Sequence, residues 1–110
     1  MHPAGGGWKM TVIHLFKNTD GDNPAGAMVF DRAGNLYGTT GTGGSRNGGV
    51  VFKLARGAHG EWNYSVLHEF GNGQDGTLPN GLTIDKAGNL YGTTLGGGTF
   101  GLGTVFEVTP

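Results

Sequence analysis

An eight-residue stretch of this chain occurs twice without change. The sequence AGNLYGTT lies at 33–40 and again at 87–94. Aligning the chain with itself at a shift of 54 residues (87 − 33) also pairs Trp8 with Trp62. Further pairs follow the same shift: His14 with His68, Phe16 with Phe70, and Val51-Phe52 with Val105-Phe106. Two copies of one supersecondary unit therefore fill nearly the whole chain.

Each copy has four short apolar segments separated by turn sequences. The turns DRAGN and DKAGN offer the glycine at positive φ that a tight hairpin needs, and 25 of the 110 residues are glycine. No segment shows a sustained apolar period of 3.6 residues, so the sequence predicts an all-β fold with essentially no helix. The predicted strands are 8–16, 26–30, 36–40, 50–54, 62–70, 81–84, 90–94 and 104–108.

The central predicted strands are apolar on both faces. The runs at 27–30 and 50–52 have no alternating polar residues, so both faces of their sheet require cover. One four-stranded sheet cannot cover itself, but stacked neighbours can. Four-stranded sheets repeated around an axis form a β-propeller.

The second copy carries the pattern D-G-x-x-P, then G-L-x-x-D-x-x-G-N-L-Y-G-T-T-x-x-G-G, then G-T-V-F. The first copy departs from it at Val50, where the second copy has Thr104, and has an extra residue near Ala25. The pattern resembles the GloVer-type tandem repeat of predicted secreted bacterial β-propellers. The resemblance implies a propeller and a secreted or cell-surface location in bacteria, and it implies no established activity. The segment MHPAGGGW lacks the apolar core of a signal peptide, so the sequence leaves localisation open. The matching residues are Asp75-Gly76, Pro79, Gly81-Leu82, Asp85, Gly88 through Thr94, Gly97-Gly98 and Gly103 through Phe106.

The strands of a propeller blade are counted from the innermost to the outermost. In that order, the chain begins with an outermost strand, and its last blade has no outermost strand of its own. We predict one two-blade unit over 1–110, with outer strand 8–16 donated to a neighbouring chain, a complete blade at 26–70 and a partial blade at 81–108. Propellers have about 4–8 blades, so two cannot close a ring. The expected assembly is a homotrimer or homotetramer with six or eight blades and strand exchange. The alternative is that the chain is a piece cut from a longer propeller.

Charge and composition argue against several classes of partner. A net charge of −1 without a basic cluster disfavours nucleic acid. No apolar run approaches the roughly 20 residues that span a bilayer, so membrane insertion is not expected. The chain has no cysteine and no metal-ligand spacing of histidines. The glycine-rich runs lack the lysine and helix of a phosphate-binding loop, so no cofactor is predicted.

Polar side chains in the loops before the innermost strands are the candidate ligand-binding residues. The loops at 18–24 and 72–79 should line the propeller mouth, and the loop containing Arg46 should share it. The first loop faintly resembles a calcium loop but does not meet its pattern, so no metal site is assigned. The candidates are Asp20, Asp22, Asn23, Arg46, Asn47 and Asp75.

Four further polar residues are assigned structural roles. His14 and His68 share a strand face with aromatic residues, which is typical of hydrogen-bonded packing. Asp31 and Asp85 come directly before the hairpin turns, where a carboxylate accepts backbone N–H groups in an Asx-turn.

Two functions of different class remain open on the sequence. The first is a non-enzymatic propeller scaffold or binding module, with carbohydrate as the ligand class. The alternative is a glycoside hydrolase-like enzyme using Asp or Glu at the propeller mouth, with catalytic residues unassigned. A hydrolase needs two carboxyl groups facing one cavity, one of them with a raised pKa.

Overall fold

A computed structural model describes residues 7–72 and 75–110, and within them it contains seven β-strands and no helix. The described part of the chain therefore holds no helix able to cross a membrane. The all-β prediction is confirmed. The strands are β1 (Asp22–Phe30), β2 (Leu36–Thr42), β3 (Val50–Arg56), β4 (Trp62–Glu69), β5 (Thr77–Ile84), β6 (Leu90–Gly96) and β7 (Thr104–Val108).

The strands form two antiparallel sheets that follow the chain order. The first sheet has the order β1-β2-β3-β4 and the second has the order β5-β6-β7. Each sheet is a meander whose neighbouring strands are joined by short connections, as the repeat predicts. Within the described residues the second sheet has three strands, so β7 lies at its edge.

The first strand of each sheet begins four residues earlier than predicted. In β1, Asp22 pairs with Thr42 and Pro24 with Thr40, and the register then shifts between Ala25 and Val29. Proline is compatible with this position because β1 is an edge strand, where its missing N–H costs no ladder hydrogen bond. The polar residues and the proline are unusual in strands, so the sequence does not predict this part of β1.

The contact between the two sheets is mainly apolar, and the Thr39 side chain adds a polar bridge to it. Val51 of the first sheet is fully buried with Leu82 and Leu90 of the second. Between them, the Thr39 hydroxyl donates to the Ala25 carbonyl at 2.9 Å and accepts the Gly81 N–H at 2.8 Å. These contacts join the sheets into one packed pair.

Glycine allows the backbones of β1 and β5 to touch. A Cβ atom on Gly26 would lie 2.4 Å from the Gly81 nitrogen, and Gly26 has a φ of 77°. Any side chain there would collide with the facing backbone and strain its own. The close approach therefore requires glycine.

The opposite face of the first sheet is only partly covered. Phe52 and Leu54 are buried there beneath Phe16 and Tyr64. Met28 is 54% exposed, and Phe30 is also exposed. A single chain therefore does not fully cover both faces of the apolar run at 27–30.

Residues 8–16 have no strand assignment in the single chain. A strand needs a ladder partner, and the predicted partner of this segment is another copy. Its donation to a neighbour stays a prediction.

Candidate functional site

The six candidate ligand-binding residues lie at one end of the two sheets. There the loop at 43–49 contacts the loops on either side through backbone hydrogen bonds. Gly44 N–H donates to the Asn18 carbonyl at 2.7 Å, and Leu78 N–H donates to the Gly48 carbonyl at 3.1 Å. We call residues 17–23, 43–49, 70–72 and 75–78 the loop surface. Of the predicted loop 72–79, residues 73 and 74 lie outside the described part.

Asp20 and Asp75 each bind a histidine of the preceding segment. His14 Nε2 lies 3.0 Å from an Asp20 carboxylate oxygen, and His68 Nε2 lies 2.7 Å from Asp75. The other carboxylate oxygen accepts backbone N–H groups, from Lys17 for Asp20 and from two loop residues for Asp75. Both aspartates therefore hold their loops in shape. The hydrogen-bonded packing expected for the two histidines is confirmed.

These contacts determine the ionisation of the two aspartates. Burial favours the neutral carboxyl, but the hydrogen bonds and the nearby histidine outweigh it and hold the pKa of Asp20 below its ordinary value. The same balance, with His68 as the partner, lowers the pKa of Asp75. Both carboxyl groups are thus ionised at neutral pH.

Asp22 and Asn23 lie at the start of β1 with exposed side chains. The Asn23 amide donates to the Thr42 hydroxyl at 3.1 Å, which links β1 to the end of β2. Asn23 has a φ of 55°, and asparagine tolerates this left-handed region better than most residues. The carboxylate of Asp22 and the amide of Asn23 therefore lie side by side on the loop surface.

Arg46 and Asn47 lie in the loop that contacts the start of β1. The Asn47 side-chain oxygen accepts the Gly43 N–H at 3.2 Å, which shapes this loop. Arg46 is exposed. Its backbone and Cβ pack so closely on Gly71 that a Cβ atom added to Gly71 would lie 2.9 Å from the Arg46 Cβ. The structure thus brings Arg46 beside the loop that contains Asp75.

Sequence reasoning missed two features of this surface. The His–Asp pairs were detectable, because a histidine recurs six or seven residues before an aspartate in both copies. Glu69 accepts the Ser45 N–H at 2.9 Å and tethers the central loop. The repeat carries no signal for this contact, since Leu15 occupies the corresponding position in the first copy.

Five carboxyl groups, some in the loop surface and some outside it, have pKa values below their ordinary ones. Burial favours the neutral form of these carboxyl groups, but their hydrogen bonds outweigh burial and keep each pKa low. A glycosidase acid requires the opposite change. No group of three or more His, Asp or Glu residues in the described ranges is arranged to hold a metal ion. The carboxyl groups concerned are Asp20, Asp31, Glu69, Asp75 and Asp85.

One comparison with known proteins finds a match. A family model described as the Gloeobacter/Verrucomicrobia repeat matches residues 1–110. Searches of curated proteins and of solved structures find no match to the chain.

Proposed function

The chain belongs to the Gloeobacter/Verrucomicrobia repeat family, and we propose that it is a non-enzymatic β-propeller binding module that works as a homo-oligomeric ring. The observation that carries this proposal is a match between exposed and buried faces. The face of the second sheet that points away from the first, which we call the trailing face, includes Thr93 and Val105. The opposite outer face, on the first sheet, we call the leading face, and it includes Met28 and Phe30.

The trailing face repeats a surface that is buried elsewhere in the chain. Val105 is 82% exposed, whereas Val51, its counterpart 54 residues earlier, is fully buried against the second sheet. Thr93 is exposed, whereas its counterpart Thr39 is buried and bridges the sheets. The trailing face therefore has the residues that bind a following sheet.

The leading face repeats the other half of the same contact. Met28 is 54% exposed, whereas its counterpart Leu82 is 5% exposed and packs on Val51. A second copy can therefore place its leading face on this chain's trailing face and reproduce the contact between the sheets. Such a contact is head-to-tail and closes into a ring when the rotation is right.

The number of sheets per chain limits the ring. Each chain supplies two, so three chains give six blades and four give eight, both within the usual range of about 4–8. Closure also covers the apolar patches, which soluble monomers seldom expose over large areas.

Carbohydrate is the proposed ligand class for the loop surface. Asp22, Asn23 and Arg46 supply carboxylate, amide and guanidinium groups, which can accept from and donate to hydroxyl groups. A ring repeats this set once per chain around one axis. Weak sites repeated in this way favour multivalent binding to a repetitive polymer.

Native mass and polysaccharide retention together test the proposal. We expect a mass three or four times 11.3 kDa and retention on insoluble cellulose, chitin or starch. Asp22→Ala should weaken retention about 10-fold, the loss of one hydrogen bond to a charged group. The matched control is Lys86→Ala, at the turn end of the sheets, which should bind normally.

Three outcomes contradict the proposal. A monomer at micromolar concentration removes the ring, and failure to bind every polysaccharide removes the ligand class. Turnover of chromogenic glycosides that Asp22→Ala abolishes would establish the hydrolase instead.

A further inference from the structure

Phe16 contacts the first sheet in the way that Phe70, which directly follows β4, contacts the second. The rings of Phe16 and Phe52 are 5.4 Å apart at 66°, and those of Phe70 and Phe106 are 5.1 Å apart at 62°. His14 meets Phe16 edge-on at 4.7 Å, as His68 meets Phe70 at 4.6 Å. Residues 14–16 thus occupy the place that the end of an outer strand from a preceding sheet would take, and the described residues form no such sheet.

In the first sheet, Tyr64 of β4 fills an aromatic site beside this segment. Its ring stacks on His14 at 3.9 Å and contacts Phe16 and Phe52, each at 5.6 Å. Its hydroxyl donates to the Asp20 carbonyl. The site is therefore closed in the first sheet.

The equivalent site in the second sheet is open. A cleft of about 350 Å³ runs along the β7 edge, and His68, Phe70, Asp75 and residues 104–108 line it. The side chain of His68 is 40% exposed, compared with 18% for His14 under Tyr64. The cleft lies where the fourth strand of the second sheet would place its side chains.

The repeat identifies the side chains that match the cleft. Counting back 54 residues from Tyr64 and Val66 gives Met10 and Val12, which are 82% and 58% exposed in the single chain. They alternate correctly for one strand face.

We propose that residues 8–16 of a second copy form the fourth strand of the second sheet, with Met10 and Val12 in the cleft beside β7. The β3–β4 pairs Phe52↔Val66 and Leu54↔Tyr64 set the register when shifted by 54 residues. Val12 then pairs with Phe106, and Met10 with Val108. The proposal rests on the ring assembly proposed above and specifies how neighbouring chains are tied.

The donor is another copy because this chain's own segment is held elsewhere. Phe16 packs on Phe52, on the face of the first sheet that points away from the second. The unpaired β7 edge belongs to the second sheet. In a ring, the leading face of the next copy brings its own residues 8–16 alongside that edge.

A disulfide between neighbouring chains tests the register. Thr11 and Glu107 are the counterparts of Ser65 and Lys53, which pair across β4 and β3, and the natural chain has no cysteine. Thr11→Cys combined with Glu107→Cys should give disulfide-linked multimers on non-reducing gels after mild oxidation. Lys53→Cys with Ser65→Cys is the matched control and should form an intramolecular disulfide.

A second pair of substitutions controls for register. Thr11→Cys with Thr109→Cys places the thiols two residues out of register, at about 7–8 Å, which exceeds the range of a disulfide. The in-register pair should give about 10-fold more linked multimer than this control, because only its Cα atoms come within disulfide distance.

The native mass of the same samples distinguishes the two proposals. A multimeric mass without in-register cross-links overturns strand exchange and leaves the ring standing. A disulfide within one chain also overturns strand exchange, because the segment then pairs with its own second sheet. A monomeric mass removes both proposals.

Discussion

Asp31 organises the turn between β1 and β2 through both of its carboxylate oxygens. One oxygen accepts the backbone N–H groups of Ala33 and Asn35 at 2.9 and 3.0 Å. The other accepts the Asn35 amide at 3.0 Å and the Tyr37 hydroxyl at 2.8 Å. Burial and the Asp31 carboxylate raise the pKa of Tyr37 to about 12, so its hydroxyl stays a donor. Asp85 repeats the arrangement, which confirms the predicted Asx-turns.

Replacing Asp31 should therefore destabilise the protein in a pH-dependent way. We expect Asp31→Ala to lower the free energy of unfolding by about 1–2 kcal/mol at pH 7, through loss of hydrogen bonds to a charged group. Burial opposes ionisation, but the hydrogen bonds hold the pKa of Asp31 below its ordinary value of 3.8. The stabilisation is therefore complete above about pH 4 and is lost as the pH falls through the folded-state value.

Urea denaturation at pH 7 and pH 3, at one protein concentration, measures this effect. The difference between wild type and Asp31→Ala should shrink at pH 3. Arg32→Ala, at the exposed neighbouring position, should change stability by no more than about 0.5 kcal/mol. An effect of Asp31→Ala that is equally large at pH 3 would show that hydrogen bonding to the ionised carboxylate is not its cause.

At the scale of strands, Thr39 links β2 to both β1 and β5. Thr39→Val keeps the shape of the side chain but leaves the Ala25 carbonyl and the Gly81 N–H without their partner. Leaving buried polar groups unsatisfied should cost about 2–3 kcal/mol. Thermal melts should show this loss at every protein concentration.

Thr93→Val is the matched variant in the second copy. Thr93 is exposed in the single chain, so its replacement should lower the melting temperature only where the chains assemble. Equal losses for the two variants under dissociating conditions would contradict the difference in burial that we describe.

The sequence alone predicts the seven strands found in the sheets, because repetition and short apolar runs mark them. It does not predict that β1 and β5 begin at Asp22 and Thr77, since proline and polar residues are unusual in strands and pairing to β2 or β6 outweighs that preference. The sequence indicates the candidate loop residues only because their loops precede the innermost predicted strands. Their internal hydrogen bonds depend on how the loops meet in space, which a repeat spacing does not encode.

At the scale of the whole molecule, the two outer faces determine whether one chain is sufficient. Burying a valine stabilises a contact by about 1.5–3 kcal/mol, and the trailing face leaves Val105 82% exposed. In a closed ring each chain gains this contact once on each side. Because assembly then adds to stability, the melting temperature of wild type should rise with protein concentration.

Val105→Asp should abolish this dependence. A carboxylate at the position equivalent to Val51 would lose its hydration in the assembled ring without gaining a partner, a cost of several kcal/mol. At about 1.4 kcal/mol per factor of ten, assembly should require at least about 100-fold more protein. Ala58→Asp adds the same charge at an exposed turn between β3 and β4 and should leave assembly unchanged. Light scattering over a dilution series measures both variants, and a Val105→Asp protein with the wild-type mass throughout would show that the trailing face is not an interface.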